Sequence, residues 1–471
     1  MRVTRRELIA AAVRTGLAAA AASALPRGTT AQAVIGKNPR LLSRAVRPPD
    51  LETPVALLDS FLTPADAFFV RSHMLPPAVD ETTWTLTIDG EVASPVSLSS
   101  GDLRRMPSTS VTATLECAGN GRAFFDPPVA GIQWRKGAVG TARWTGVRLA
   151  DLIERVSPRG RATHVVMAAA DRAMGSQPPF VRQLPMTKAI HRDTLVAYAM
   201  NDGAIPLLNG APLRMIVPGW EGAYSVKWLN RLTMAAGEHD GFWVANAYRY
   251  PTKRVAPGAA VDARDMMPLA ALAVKSLITR PLDGAVVAPG RVTIAGFAWA
   301  GENDIARVEI SSDGGQSWKD AKLTGPRLRY AWRRFEYEVD LRRGVCTIVS
   351  RATDARGTVQ PIDPPWNPAG YLWNAPDQIR VGVGEPVTAA VSSRGAIAPA
   401  PSHDPAQVAT GEAVYNSACR ACHADDLADQ QRLSEAGWGR TVDKMTQWGA
   451  RVKAEEKSSL IAYLTSRVTG R

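Results

Sequence analysis

Cysteine is scarce in this chain. Cys117, Cys346, Cys419 and Cys422 are the only four in 471 residues, too few for a disulfide framework. No G-x-G-x-x-G follows a strand and no P-loop is present, so the common dinucleotide and nucleotide-phosphate cradles are missing. There is no dense basic run interleaved with aromatics. The net charge of +12 comes from scattered Arg and Lys, which argues against nucleic acid as a partner and suits a small anionic substrate. Past the N-terminus, no apolar run approaches the roughly 20 residues that a membrane span needs.

What is present begins with an export signal over residues 1–33. Arg5-Arg6 precede an Ala-rich run broken by Arg14, and Ala31-Gln32-Ala33 supplies an A-x-A cleavage site. The expectation is a periplasmic protein starting near Val34, with no membrane span after cleavage. The twin-arginine route carries folded proteins, which implies a cofactor loaded beforehand.

Residues 34–272 mix short strands with helical pieces and many Gly and Pro, an α+β text. "WTLTIDG" (84–90) alternates as a strand, and the spacing of Val147, Leu149, Ile153 and Val156 predicts a helix over 147–156. Residues 273–386 read as all-β. "RVTIAGFAW" (291–299), "RVEISSDGGQSW" (307–318) and "RRFEYEVDL" (333–341) suggest an immunoglobulin-like β-sandwich. Residues 387–408, rich in Ala, Ser and Pro, read as a flexible linker. A small all-α unit follows at 409–471, in which "AEEKSSLIAYLTSRV" (454–468) puts Leu460, Leu464 and Val468 on one face.

That last unit contains Cys419-Arg-Ala-Cys422-His423, the C-x-x-C-H pattern of a c-type cytochrome: two thiols bond the haem and the histidine ligates its iron. A zinc site would need two more ligands, and only His403 lies nearby. Met445 is the only methionine after residue 267, hence the candidate sixth haem ligand; the alternative is that it packs on the porphyrin or in the core.

Upstream, Cys117 ends a strand-like approach and enters Ala-Gly-Asn-Gly-Arg122, a turn that lets another body come close beside a cation. From here the chain resembles the sulfite oxidase family of molybdenum enzymes, over roughly residues 50–385. The resemblance is carried in order by "FFVRSHM" (68–74), "LECAGNGR" (115–122), "GIQW" (131–134), "TARWTGVRLADLI" (141–153), "VAYAMNDGAIP" (196–206), "PLRMIVPGWEGAYSVKWLNRL" (212–232) and "WNPAGYLWN" (366–374). It implies that Cys117 ligates molybdenum beside molybdopterin. It further implies that Arg71, His73, Arg122, Tyr198 and Trp134 surround the substrate. Phe69, Asp171, Arg172, Asn209, Arg214, Ser225, Val226 and Lys227 would face the cofactor. The sandwich would be the family's dimerisation domain, so a homodimer is implied.

Two positions depart from the vertebrate and plant pattern: Ala369 replaces a third substrate arginine, and Asn209 replaces a cofactor-binding histidine. The expected activity is a sulfite dehydrogenase with a molybdenum–molybdopterin group and a tethered haem c, reducing an external soluble cytochrome c. The departures keep sulfane-sulfur oxidation and S-oxide or N-oxide reduction as rivals, with a non-catalytic haem carrier as a third.

Overall fold

The structure, a computed structural model, describes residues 36–387 and 403–467. The expected export signal, most of the expected linker and Val468 lie outside the described residues.

The α+β part is built on two five-stranded sheets. In one, Thr109–Glu116, Val139–Arg148 and Leu195–Met200 are antiparallel neighbours, and Arg214–Ile216 pairs with Leu195–Met200. In the other, Leu229–Ala235 runs parallel to Thr85–Gly90 on one side and antiparallel to His164–Ala169 on the other. Alternation sets the faces: Leu86 and Ile88 are buried, while Thr85 is exposed and Thr87 and Asp89 are half-buried. The helix expected over 147–156 is shorter, Leu149–Arg155. Val147 and Arg148 instead pair with Val196 and Leu195, because the sheet ladder satisfies their backbone and buries a β-branched side chain.

The sandwich packs a four-stranded sheet containing Lys275–Arg280, Gly290–Trp299 and Arg333–Leu341 against a five-stranded one containing Ile305–Ser311, Gly344–Asp354 and Asp377–Val383. Ile294, Val308, Phe335, Ile348 and Val381 fill the space between. A buried ionic joint ties this layer to the first domain. Glu116 accepts from Lys275 Nζ (2.5 Å), Trp299 Nε1 (2.8 Å) and Asn120 Nδ2 (2.9 Å). A buried carboxylate is tolerated when so fully partnered, and here it clamps the strand end that delivers Cys117.

The C-terminal unit is helical. Asp404 accepts from the Ala406 amide, and Pro405 opens the helix Pro405–Val414, so a helix starts within the segment 387–408 expected to be linker. A Cβ on Gly411 would meet the Ser459 carbonyl oxygen at 2.0 Å, so only glycine lets Lys457–Ser466 cross this closely. Val414, Tyr415, Leu433, Trp438, Val442, Leu460 and Leu464 form its core.

This unit rests on the first domain through a few polar clasps. Gln431 donates to the Gly131 carbonyl (2.9 Å) and accepts from the Gly131 amide (3.2 Å). Gln430 donates to the Arg44 carbonyl (2.7 Å) and accepts from the Gln133 amide (2.7 Å). Asp426 accepts from the Val46 amide (2.7 Å), and the Trp448 carbonyl from Ser176 (2.9 Å). The Trp448 ring meets Phe242 edge-on at 5.2 Å.

Candidate active site

Cys117 leaves the end of Thr109–Glu116 and is pinned by its amide, which donates to the Ala138 carbonyl at 2.9 Å. Burial pushes its thiol pKa up, opposed by the Arg71 and Arg122 guanidinium groups. It borders two connected spaces. The first is narrow, about 60 Å³, and runs past Phe69, Asp171, Asn209, Arg214, Ser225, Val226 and Lys227. The second is about 470 Å³ and opens from Arg71, His73, Cys117 and Arg122 toward Cys419, Cys422, His423 and Met445. Arg71, His73, Cys117 and Tyr248 line both.

Arg122 is threaded through glycine. A Cβ on Gly119 or Gly370 would come within 2.6 and 2.9 Å of its side chain. Its Nε donates to the Ala369 carbonyl (3.2 Å) and Nη1 to that of Ile132 (3.0 Å), and no carboxylate among the described residues pairs with it. Arg71 is anchored differently, in a salt bridge to buried Asp50 at 3.0 Å. His73 is stacked on Phe180 at 4.4 Å and hydrogen-bonds through Nε2 to the Tyr248 hydroxyl at 2.6 Å. Burial first, then the charges of Arg71 and Lys227, hold its pKa well below the usual value, so the imidazole is neutral. Tyr371 stacks on Tyr248 at 5.5 Å, beneath the Arg122 guanidinium.

The narrow space is a cradle of cations with neutral partners. Lys227 Nζ donates to Ser72 Oγ (2.9 Å) and the Leu208 carbonyl (3.0 Å). Arg214 donates to the Ser225 and Asn209 carbonyls, and Lys37, set behind Asn209 and not on the wall of this space, donates to Asn209 Oδ1 and the Ala65 carbonyl. Burial lowers all three: Lys227 far below its usual range, Arg214 to about 9 and Lys37 to about 7. Asp171, beside them, is raised by burial to about 6. Lys227 and Arg214, two buried cations on one wall without direct ion pairs, are costly unless an anion completes the set. That donor set fits the phosphate of a molybdopterin, with Cys117 as a thiolate ligand at its metal.

The other end is apolar, lined by Val442, Leu460, Leu464 and Trp438. Its volume falls in the roughly 300–1,000 Å³ range of cofactor pockets. His423 Nδ1 donates to the Ala424 carbonyl at 3.1 Å, which leaves Nε2 as the free lone pair. Trp438 Nε1 is buried with no partner, an orphan donor. Burial raises the Cys419 thiol to about 11. These residues fit a haem. Among the described residues no three His, Cys, Asp or Glu side chains converge on a metal site, so zinc at Cys419 and Cys422 lacks further ligands.

Three expected residues are elsewhere. Tyr198, on Leu195–Met200, does not line either space; its ring packs on the core under Arg104 at 4.9 Å. The tyrosines at the site are Tyr248 and Tyr371, brought there by long-range packing that strand alternation does not reveal. Trp134 is fully buried behind Ile132, in the core of the first sheet rather than in the pocket wall. Arg172 is exposed and reaches only the Pro76 carbonyl, while its backbone bridges Leu75. Lys37 and Lys444 were not foreseen. Lys444 reaches the larger space from the helix Glu435–Gln447, where burial, then Arg122 and Arg71, lower its pKa.

Residues 73–243 match the oxidoreductase molybdopterin binding domain family, and residues 267–383 the Mo-co oxidoreductase dimerisation domain family. The chain is 37% identical over 356 residues to sulfite oxidase of Gallus gallus, covering 72% of this chain and 77% of that protein. It is 34% identical to sulfite oxidase of Arabidopsis thaliana, covering 71% and 92%. It spans 66% of the mitochondrial sulfite oxidase of Rattus norvegicus, at 36% identity. Among solved structures it is similar to the sulfane dehydrogenase SoxCD from Paracoccus pantotrophus, with a TM-score of 0.63 and 28% identity over 71% of this chain and 84% of that one.

Proposed function

Because this chain belongs to the sulfite oxidase family of molybdopterin oxidoreductases, we propose that it is a periplasmic sulfite dehydrogenase that passes electrons to a haem c in its own C-terminal unit and onward to an external soluble cytochrome c. The observation that carries this is the continuous space joining Cys117, Arg71 and Arg122 to Cys419, Cys422 and His423. The Arg5-Arg6 signal supports export, and the match of the sandwich to a dimerisation family supports a homodimer.

Held by Cys117 and the cation cradle, a molybdenum–molybdopterin group would supply a two-electron acceptor, and a haem bonded to Cys419 and Cys422 a one-electron acceptor. The net reaction takes sulfite and water to sulfate, two electrons and two protons, so the haem must be used twice per turnover. The chain's own residues bind and orient. Arg122, free of any carboxylate, has its charge available for an oxyanion, while Asp50 fixes the direction of Arg71. The neutral His73–Tyr248 pair spends one of its two donor hydrogens on its own bond and keeps the other to offer a substrate oxygen without adding charge. Phe242, Trp243 and Trp448 wall the space against water, which strengthens each of these contacts.

A second reading, oxidation of sulfane sulfur, is favoured by one observation. Ala369 puts only a methyl group on the cavity wall, leaving room for a longer substrate, in line with the similarity to a sulfane dehydrogenase. Anaerobic mixing of the oxidised, molybdenum-loaded protein with sulfite, with the haem bands followed, tests both. Rapid reduction is expected. Reduction by a sulfane donor and not by sulfite would move the assignment to the second reading; reduction by neither would sink both.

A further inference from the structure

The anion pocket beside Cys117 contains a lysine that comes from another part of the chain. Lys444 lies in the last turn of Glu435–Gln447, in the C-terminal helical unit, yet its side chain lines the same space as Arg71, Cys117, Arg122 and Ala369. Arg122 and Arg71 are within electrostatic reach of its ammonium. No carboxylate among the described residues pairs with it; its recorded neighbour is the Trp448 ring, 5.2 Å from Nζ. A lysine needed only to complement a helix C-terminus would turn to solvent, where that interaction is cheap to make. This one lines a cavity that Arg71 and Arg122 line as well.

Charge counting makes the arrangement informative. Arg71 is neutralised by Asp50, whereas neither Arg122 nor Lys444 has an acidic partner among the described residues. Two uncompensated cations facing one cavity repel each other unless a ligand carrying about two negative charges lies between them. The position is also held in place. One turn beyond Lys444, Trp448 is fastened by its carbonyl to the Ser176 amide and by its ring to Phe242, and Gln431 grips Gly131 at the other end of the unit.

We propose that Lys444 is a substrate-binding residue: the C-terminal unit donates it as a cation of the oxyanion site that Arg122 and Ala369 also line, so that the site for a sulfur oxydianion is complete only when this unit is docked. This rests on the proposed anion-oxidising function of the same cavity. It makes the helical unit part of the specificity apparatus as well as of electron transfer.

Inorganic sulfate, the product dianion, is the probe, titrated calorimetrically into the full-length, cofactor-loaded protein without turnover. Wild type should bind it. Lys444→Met should weaken binding by about tenfold or more, the loss of one charge-assisted hydrogen bond, and Lys444→Arg should restore most of it. If Arg122→Ala weakens binding while Lys444→Met binds as wild type does, the role of Lys444 is overturned and the anion-site reading stands. If wild type binds no sulfate, or Arg122→Ala changes nothing, the anion-site reading falls and the role of Lys444 falls with it.

Discussion

The two ends of the long cavity are built on opposite principles. At the Cys117 end, Arg71, Arg122, Arg214, Lys227 and Lys37 crowd into buried space, and most of their hydrogen bonds go to neutral oxygens. At the Cys419 end, Val442, Leu460, Leu464 and Trp438 make a mainly apolar wall in which the Trp438 indole and the Tyr415 hydroxyl are buried without a hydrogen-bond partner among the described residues. The first asks for anions and the second for a large flat apolar group. The difference teaches that the two redox groups proposed here need not share any ligand, and that each end can be disabled alone. Cys117→Ser should lower sulfite turnover by more than about 100-fold, beyond the ~10–100-fold typical of a residue that merely supports a metal ligand. The haem absorbance of that variant should be unchanged. Full turnover would remove Cys117 from the metal, and a lost haem spectrum would show that the ends are not independent.

How much of this was legible in the sequence differs between the same two ends. Cys419, Cys422 and His423 lie within five residues, so a local pattern names them all. At the other end, chemistry is assembled across the chain: Lys37, Tyr248, Tyr371 and Lys444 arrive from four separate segments. Lys37 and Lys444 sit in no motif at all. Tyr371 lay inside "WNPAGYLWN", a stretch already singled out, and an aromatic beside that motif's glycine was the available signal. Tyr198 shows the opposite failure. Its segment is well marked, but in the alternating strand Leu195–Met200 its side chain goes to the face packed by Arg104. The fold itself was more readable, because the alternation in Arg333–Leu341 matches a strand with those bounds. The short helix Leu149–Arg155 was overextended by two residues at its start because Val147 fits either period.

The contrast between the ends can be sharpened by pH. Burial lowers Lys37 from 10.5 to about 7, so between those values the unfolded chain binds a proton that the folded chain does not. Stability should therefore fall as pH drops from 10.5 to about 7, and level off below. In cofactor-free protein the full span is worth about 5 kcal/mol, which should appear as a Tm loss of roughly 10–20 °C at about 2–4 °C per kcal/mol for a domain of this size. Lys37→Met should remove that slope. An identical slope in Lys37→Met would assign the titration to another group.

The smallest effect is expected where the two ends are joined. Gln431 both donates to and accepts from Gly131, one residue before Ile132, whose carbonyl holds Arg122. Gln431→Ala leaves that amide and carbonyl to find water, at a cost of about 1–3 kcal/mol confined to the docking surface. Gln431 ligates neither redox group in the arrangement proposed, so metal content and haem absorbance should stay at wild-type levels. What should change is docking: hydrogen exchange at the Gly131 amide should quicken by about tenfold if one kcal/mol or so of local protection is lost, and internal haem reduction should slow by less than that. If exchange quickens while reduction is untouched, the ends communicate without this clasp. If neither changes, the contact between Gln431 and Gly131 contributes nothing to holding the helical unit over the active site.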